Sequence, residues 1–168
     1  MSQALDFIRI NKKMAVVLLM IIGFSGCSDP LPPSHNPVQP LDIHEIKTLI
    51  SSETFSGLAV AMASWCPPCR EELPILDELF KQNKDRDIQI IAISLDDSQK
   101  AAQSLIDELK ISFPVYWVGK KAVTGLKIIG VPTLLVVKKG QVIEKITGQS
   151  NRSQLKAMIR DVLASESQ

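Results

Sequence analysis

The feature that most constrains this chain is a short apolar run, Leu58–Ala63, that leads almost directly into Trp65-Cys66-Pro67-Pro68-Cys69. A run of that length behind the Ser56-Gly57 turn reads as a buried strand. Beyond Cys69, residues Leu73, Leu76, Leu79 and Phe80 recur at helical spacing, and Pro74 inside that stretch predicts a kink. Proline suits the first position of a helix, where its missing N–H has no partner to lose. The chain therefore turns from strand to helix at Cys66, with Cys69 one turn further on. Two consequences follow. The sulfurs are close enough to form a small disulfide ring, and the Cys66 thiol sits at the positive end of the helix dipole, which favours thiolate. Thiolate is the attacking species in disulfide exchange. Cys66 is thus the expected nucleophile and Cys69 the resolving thiol. Pro68 removes one of the two backbone N–H groups that normally serve a helix N-cap, leaving mainly the Cys69 N–H, with Arg70 beside it. A moderately stabilised thiolate makes the pair a reductant rather than a strong oxidant.

The cysteine count narrows the chemistry. The chain has 168 residues and 3 cysteines, which cannot close a disulfide framework; a single C-x-x-C cannot build a four-cysteine zinc site. Both histidines, His35 and His44, lie near the N-terminus, so no metal site is expected. A static disulfide or half of a metal site is the bland alternative for Cys66 and Cys69. With 19 Lys+Arg against 18 Asp+Glu, nothing points to a nucleic-acid partner.

The third cysteine, Cys27, belongs to a targeting segment. Arg9, Lys12 and Lys13 precede the apolar run Met14–Phe24, which is too short to span a bilayer, and small residues lead to Cys27. Phe24-Ser25-Gly26-Cys27 resembles a bacterial lipobox, with Phe24 in the usual place of Leu; that resemblance implies lipidation of Cys27. Residues 1–26 are then a lipoprotein signal peptide. Residues 27–40 read as an extended tether because Pro30, Pro32, Pro33, Pro37 and Pro40 cannot support a helix or a central strand. Residues 41–168 form the folded domain.

Within it, Asp42 and Glu45 form a capping box for a helix over 43–51. A second buried strand is expected at Ile88–Leu95, a helix from Asp97 or Ser98 to Lys110, a strand at Val115–Val118 and a short helix at Lys121–Ile128. Thr133–Val137 and Val142–Gly148 should form a hairpin around Lys138-Lys139-Gly140-Gln141, and Asn151 with Gln154 caps a last helix. Early strands separated by helices are parallel and the hairpin is antiparallel, which makes a mixed sheet covered on both faces.

Trp65-Cys66-Pro67-Pro68-Cys69-Arg70, followed by Glu71-Glu72-Leu73-Pro74, resembles the thioredoxin-like family, most closely its exported TlpA/ResA branch. The resemblance covers roughly residues 41–164. It implies a three-layer α/β/α fold with a central mixed sheet, and an inserted β-α element running from Asp96-Asp97 through Phe113–Val118. It also implies that Pro132, in Gly130-Val131-Pro132-Thr133, is cis and faces the active site. Trp65, Pro67, Val131 and Pro132 become substrate-binding candidates, with the backbone at Val131 and Pro132 aligning substrate as an added strand.

Two departures stand out. Val60 occupies the place of the buried Asp of classical thioredoxins, so Glu72 is the candidate proton carrier for Cys69, its bland alternative being an exposed helix carboxylate. The branch often opens with a β-hairpin, whereas residues 43–52 read as a helix. Peroxiredoxin is disfavoured, since its active site lacks W-C-x-x-C.

Together these imply a monomeric, lipid-anchored thiol–disulfide oxidoreductase in a bacterial cell envelope, facing the periplasm, with inner or outer membrane left open. It would use no cofactor and reduce exported protein disulfides, heme-binding cysteines of apocytochrome c among them, with electrons from a membrane thiol–disulfide donor. A disulfide-forming oxidant and a non-enzymatic dithiol metal-delivery module are the alternatives.

Overall fold

The structure, a computed structural model, describes residues 36–164. The signal segment 1–26, Cys27, and the tether through His35 lie outside the described residues.

In chain order the elements are β1 (Gln39–Pro40), α1 (Ile43–Ile50), β2 (Gly57–Met62), α2 (Pro67–Gln82), β3 (Gln89–Ser94), α3 (Gln99–Leu109), β4 (Val115–Trp117), α4 (Lys121–Gly125), β5 (Thr133–Lys138), β6 (Gln141–Thr147) and α5 (Arg152–Leu163). The strands form one sheet in the order β1-β4-β3-β2-β5-β6. β1, β4, β3 and β2 run parallel to their neighbours, and β5 and β6 are antiparallel additions beyond β2. The mixed sheet expected from the sequence is present, and β2, which ends just before Trp65, lies in its interior.

Helices cover both faces. On one, α2, α3 and α5 place Leu73, Leu76, Leu105, Ile106, Leu155 and Ile159 against Leu58, Val60, Ile90, Leu134 and Val136. On the other, Ile46 and Ile50 of α1 and Ala122 of α4 pack on Ala59, Ala61, Ile91, Ile93, Leu135 and Val137. Every residue of β2 is buried, which explains why it reads as a continuous apolar run rather than an alternating one.

The caps form as the sequence predicts. Asp42 accepts from the His44 and Glu45 N–H groups while Glu45 reaches back to the Asp42 N–H, and Asn151 and Gln154 repeat the arrangement at α5. Lys139 (φ 47°) and Gly140 (φ 73°) form the two-residue turn between β5 and β6. The helix expected to reach Ile128 ends at Gly125 instead. Gly125 is a poor helix former, and Lys127 adopts a left-handed conformation (φ 52°) that the helix cannot continue through.

One expectation is corrected. The end of the presumed tether is part of the domain. Val38 is buried, and Gln39 and Pro40 pair with Tyr116 and Trp117 of β4. The Asn36 side chain donates to the carbonyls of Ile111 (3.1 Å) and Phe113 (2.7 Å), and Gln99 and Gln103 of α3 bond the Val38 backbone. Pro40 takes its place in this short edge strand, where a missing N–H faces no neighbour.

Candidate active site

The β2–α2 junction builds the site. Cys66 is the N-cap of α2, with extended backbone angles, and Pro67 and Pro68 occupy the first two helical positions. Its sulfur accepts one backbone hydrogen bond, from the Cys69 N–H at 3.2 Å. This is the arrangement expected from the two prolines. Cys66 and Cys69 are joined as a disulfide, with a Cα–Cα distance of 5.3 Å, and both are buried, whereas Trp65 stands 68% exposed beside them. The Arg70 guanidinium pairs with Glu108 of α3 and so points along the surface.

Glu72 lies one turn beyond Cys69 on the same helix and is fully buried. The alternative of an exposed helix carboxylate therefore fails. Oε1 accepts from the Ser150 N–H at 3.1 Å, and Oε2 has no hydrogen-bond partner among the described residues. Burial pushes the Glu72 carboxyl above the ordinary glutamate range, and the backbone and hydroxyl of Ser150 pull it part of the way back. Val60 is buried in the same apolar core cluster as Cys66 and Cys69, so it offers no carboxylate there.

The Val131–Pro132 peptide bond is cis, as the resemblance implied. Thr133 Oγ1 donates to the Gly130 carbonyl at 2.6 Å, and Pro132 O accepts from the Gly148 N–H, tying this turn to β6 and the loop after it. Trp65, Gly130 and Val131 line one groove of about 600 Å³ with Leu95, Val123 and Ile128. Ile129, 89% exposed, stands on its rim. Of the four substrate-binding candidates, Trp65 and Val131 meet at this groove. Pro132 is buried behind it, and Pro67 is exposed at the helix start.

Asp96 was not singled out by sequence reasoning. It is buried, and its carboxylate accepts from the Ser64 N–H (2.9 Å), the Ser64 hydroxyl (2.6 Å) and the Ser94 hydroxyl (2.9 Å). Its backbone oxygen accepts from the Trp117 indole N–H at 2.8 Å. It thus anchors the segment that delivers Trp65 and Cys66. The available signal was an acid at the C-terminal end of an interior parallel strand, where α/β sheets collect their functional groups.

A family model described as thioredoxin-like matches residues 58–143, about half of the chain. The chain belongs to the thioredoxin-like family. It is 31% identical over 101 residues to the thiol-disulfide oxidoreductase ResA of Bacillus cereus, covering 59% of this chain and 58% of that protein. It is 31% identical over 111 residues to a thioredoxin of Bacillus subtilis, covering 65% of this chain and 86% of that one. The chain thus spans less than two thirds of the length of the ResA relative. Among solved structures, StoA from Bacillus subtilis superposes with a TM-score of 0.58 at 23% identity, over 66% of this chain and 86% of that one. A thiol:disulfide interchange protein of the thioredoxin family from Chlorobium tepidum TLS gives 0.61 at 20% identity, over 70% and 84%. These two likenesses show the thioredoxin-like fold. The expected insertion is visible within it as α3 and β4, with β4 placed between β3 and the edge strand β1.

Proposed function

We propose that this protein is a thiol–disulfide oxidoreductase that reduces disulfides of exported proteins. The observation that carries this reading is the Cys66 sulfur at the N-cap of α2, held by a single N–H beside an apolar groove. In the reduced protein the Cys66 thiolate attacks one sulfur of a substrate disulfide. The substrate S–S bond breaks, a mixed disulfide forms, and one substrate thiolate leaves and takes up a proton. Cys69 then passes its proton to Glu72 and attacks the Cys66 sulfur. The second substrate thiol departs, and Cys66 and Cys69 are left oxidised by two electrons. Trp65, Val131 and Pro132 hold the substrate segment, whose backbone aligns beside the Val131 turn.

The poverty of donors at the Cys66 sulfur supports the reducing direction. Pro68 withholds one of the two N–H groups that would stabilise the Cys66 thiolate, and a dithiol with a less stabilised thiolate gives up its electrons more readily. A membrane thiol–disulfide donor regenerates the dithiol. Cys27, as the lipidated first residue of the mature chain, holds the domain at a bacterial envelope membrane facing the periplasm. Exported proteins with reducible cysteine pairs, apocytochrome c among them, are the substrate class.

The test is insulin reduction coupled to a thiol donor. Wild type is expected to turn over and Cys66→Ser to lose at least a hundredfold in rate. Cys69→Ser should accumulate a mixed disulfide through Cys66, visible by mass spectrometry. An inactive wild type that takes up copper or zinc stoichiometrically would replace this reading with metal delivery.

A further inference from the structure

Glu72 is buried on the dithiol helix, yet the group that orients it comes from elsewhere in the chain. The loop between β6 and α5 lies against α2 through two successive residues. Gln149 Nε2 donates to Glu71 Oε2 at 2.9 Å on the surface, and the Ser150 N–H donates to Glu72 Oε1 at 3.1 Å beneath it. Ser150 is 2% exposed and Glu72 0%, so water does not compete for this contact. A carboxylate held at one oxygen, with the other buried and unpartnered, has an open acceptor position at a defined atom. Leaving such an oxygen without a partner is costly in a protein interior, and a catalytic role is one of the physical reasons a fold keeps such a group.

We propose that Ser150 is the positioning residue for Glu72: it anchors Oε1 and leaves Oε2 as the atom that takes the Cys69 proton. This rests on the proton-carrying role proposed for Glu72. When the mixed disulfide is resolved, the Cys69 S–H bond breaks and its proton moves to Oε2. The Cys69 thiolate then forms the bond to Cys66 as the Cys66–substrate bond breaks. The proton afterwards passes to solvent or to the departing thiolate, which restores the carboxylate. No external oxidant or reductant enters this step.

The surroundings leave Ser150 as the main polar influence. On α2 itself, Arg70 is paired with Glu108 of α3, Glu71 is bonded by Gln149, and Glu78 is paired with Arg152 of α5. Asp77 is turned to Lys81 and to Ser112, in the loop between α3 and β4. Each of these groups is engaged elsewhere, whereas the Ser150 backbone N–H, donating to Oε1, favours the ionised form of Glu72. β2 and β5, in the same core cluster as Cys69, contribute Val60, Met62, Leu134 and Val136.

The experiment is a rapid-mixing pH profile with the full chain, reduced beforehand and mixed with an aromatic disulfide. The first equivalent of aromatic thiol reports attack by Cys66 and the second reports resolution by Cys69. In wild type the second phase should rise with pH as Glu72 ionises. Ser150→Pro removes the backbone N–H that anchors Oε1, so this limb should move to higher pH and resolution should slow several-fold on the limb. Ser150→Ala keeps that N–H and should keep the wild-type limb. An ester in place of the Gln149–Ser150 amide, made by semisynthesis, removes the same N–H and serves if the proline variant fails to fold. Glu72→Gln should abolish the limb and make loss of the N–H silent. A wild-type limb in the folded variant that lacks the Ser150 N–H, with the limb lost in Glu72→Gln, would overturn the role of Ser150 while Glu72 keeps its own. A limb that persists in Glu72→Gln would overturn both.

Discussion

At the scale of single residues, the site combines a strained requirement with an economical solution. Cys66 must be reactive yet buried, and it is stabilised by one N–H because two prolines follow it. Glu72 must be able to hold a proton, and burial supplies that tendency. The same burial has a cost in stability, and its sign is fixed by linkage. The folded chain keeps the Glu72 proton over a pH range in which the unfolded chain has lost it. Stability therefore falls as pH rises through that range, and the deficit persists above it. Glu72→Gln removes the ionisation and keeps an oxygen for the Ser150 N–H. It is expected to melt about 2–5 °C higher than wild type at pH 7, with the gain vanishing at acid pH where the unfolded carboxyl is also protonated. Calorimetry across that range checks it. Glu72 was legible as a candidate through the family resemblance, which implies an acid three residues after the second cysteine. Its burial was not, because the residue that covers it, Ser150, arrives from 78 positions away.

At the scale of elements, the decisive object is the β2–α2 junction. The apolar run, the prolines and the helical periodicity after Cys69 all agree there, so local preference and tertiary packing point the same way. The capped helices α1 and α5 and the β5–β6 hairpin were legible for the same reason, each carrying its own start or turn residues. Asp96 was not, because its partners Ser64 and Ser94 are common residues whose hydrogen bonds form only when β2 and β3 lie side by side. Removing it strands the Ser64 N–H and both hydroxyls in a buried place. Asp96→Ala is expected to cost about 2–3 kcal/mol in urea denaturation. It should also slow attack by Cys66 several-fold, since the segment before Cys66 loses its anchor. Asp96→Asn, which keeps an acceptor for the Ser64 N–H, should recover most of both.

At the scale of the whole molecule, one sheet with helices on both faces presents the dithiol at the end of an interior strand, next to a groove lined by Trp65, Gly130 and Val131. The layer order followed from alternation of strand-like and helix-like runs. The N-terminal boundary did not, since five prolines between Pro30 and Pro40 masked a docked edge. Val38 is buried and residues 36–40 bond to β4 and α3, so a chain beginning at Leu41 should be less stable by about 2–4 kcal/mol than one beginning at Ser34. Urea midpoints of the two chains would show it; equal midpoints would mean that the edge strand adds nothing. The central claim, that this architecture makes Cys66 and Cys69 a reducing pair, is tested most directly by the reduction potential of that pair, measured by equilibration with a thiol buffer. The account predicts a value more negative than about −200 mV; a value near about −120 mV, at the strongly oxidising end, would contradict it.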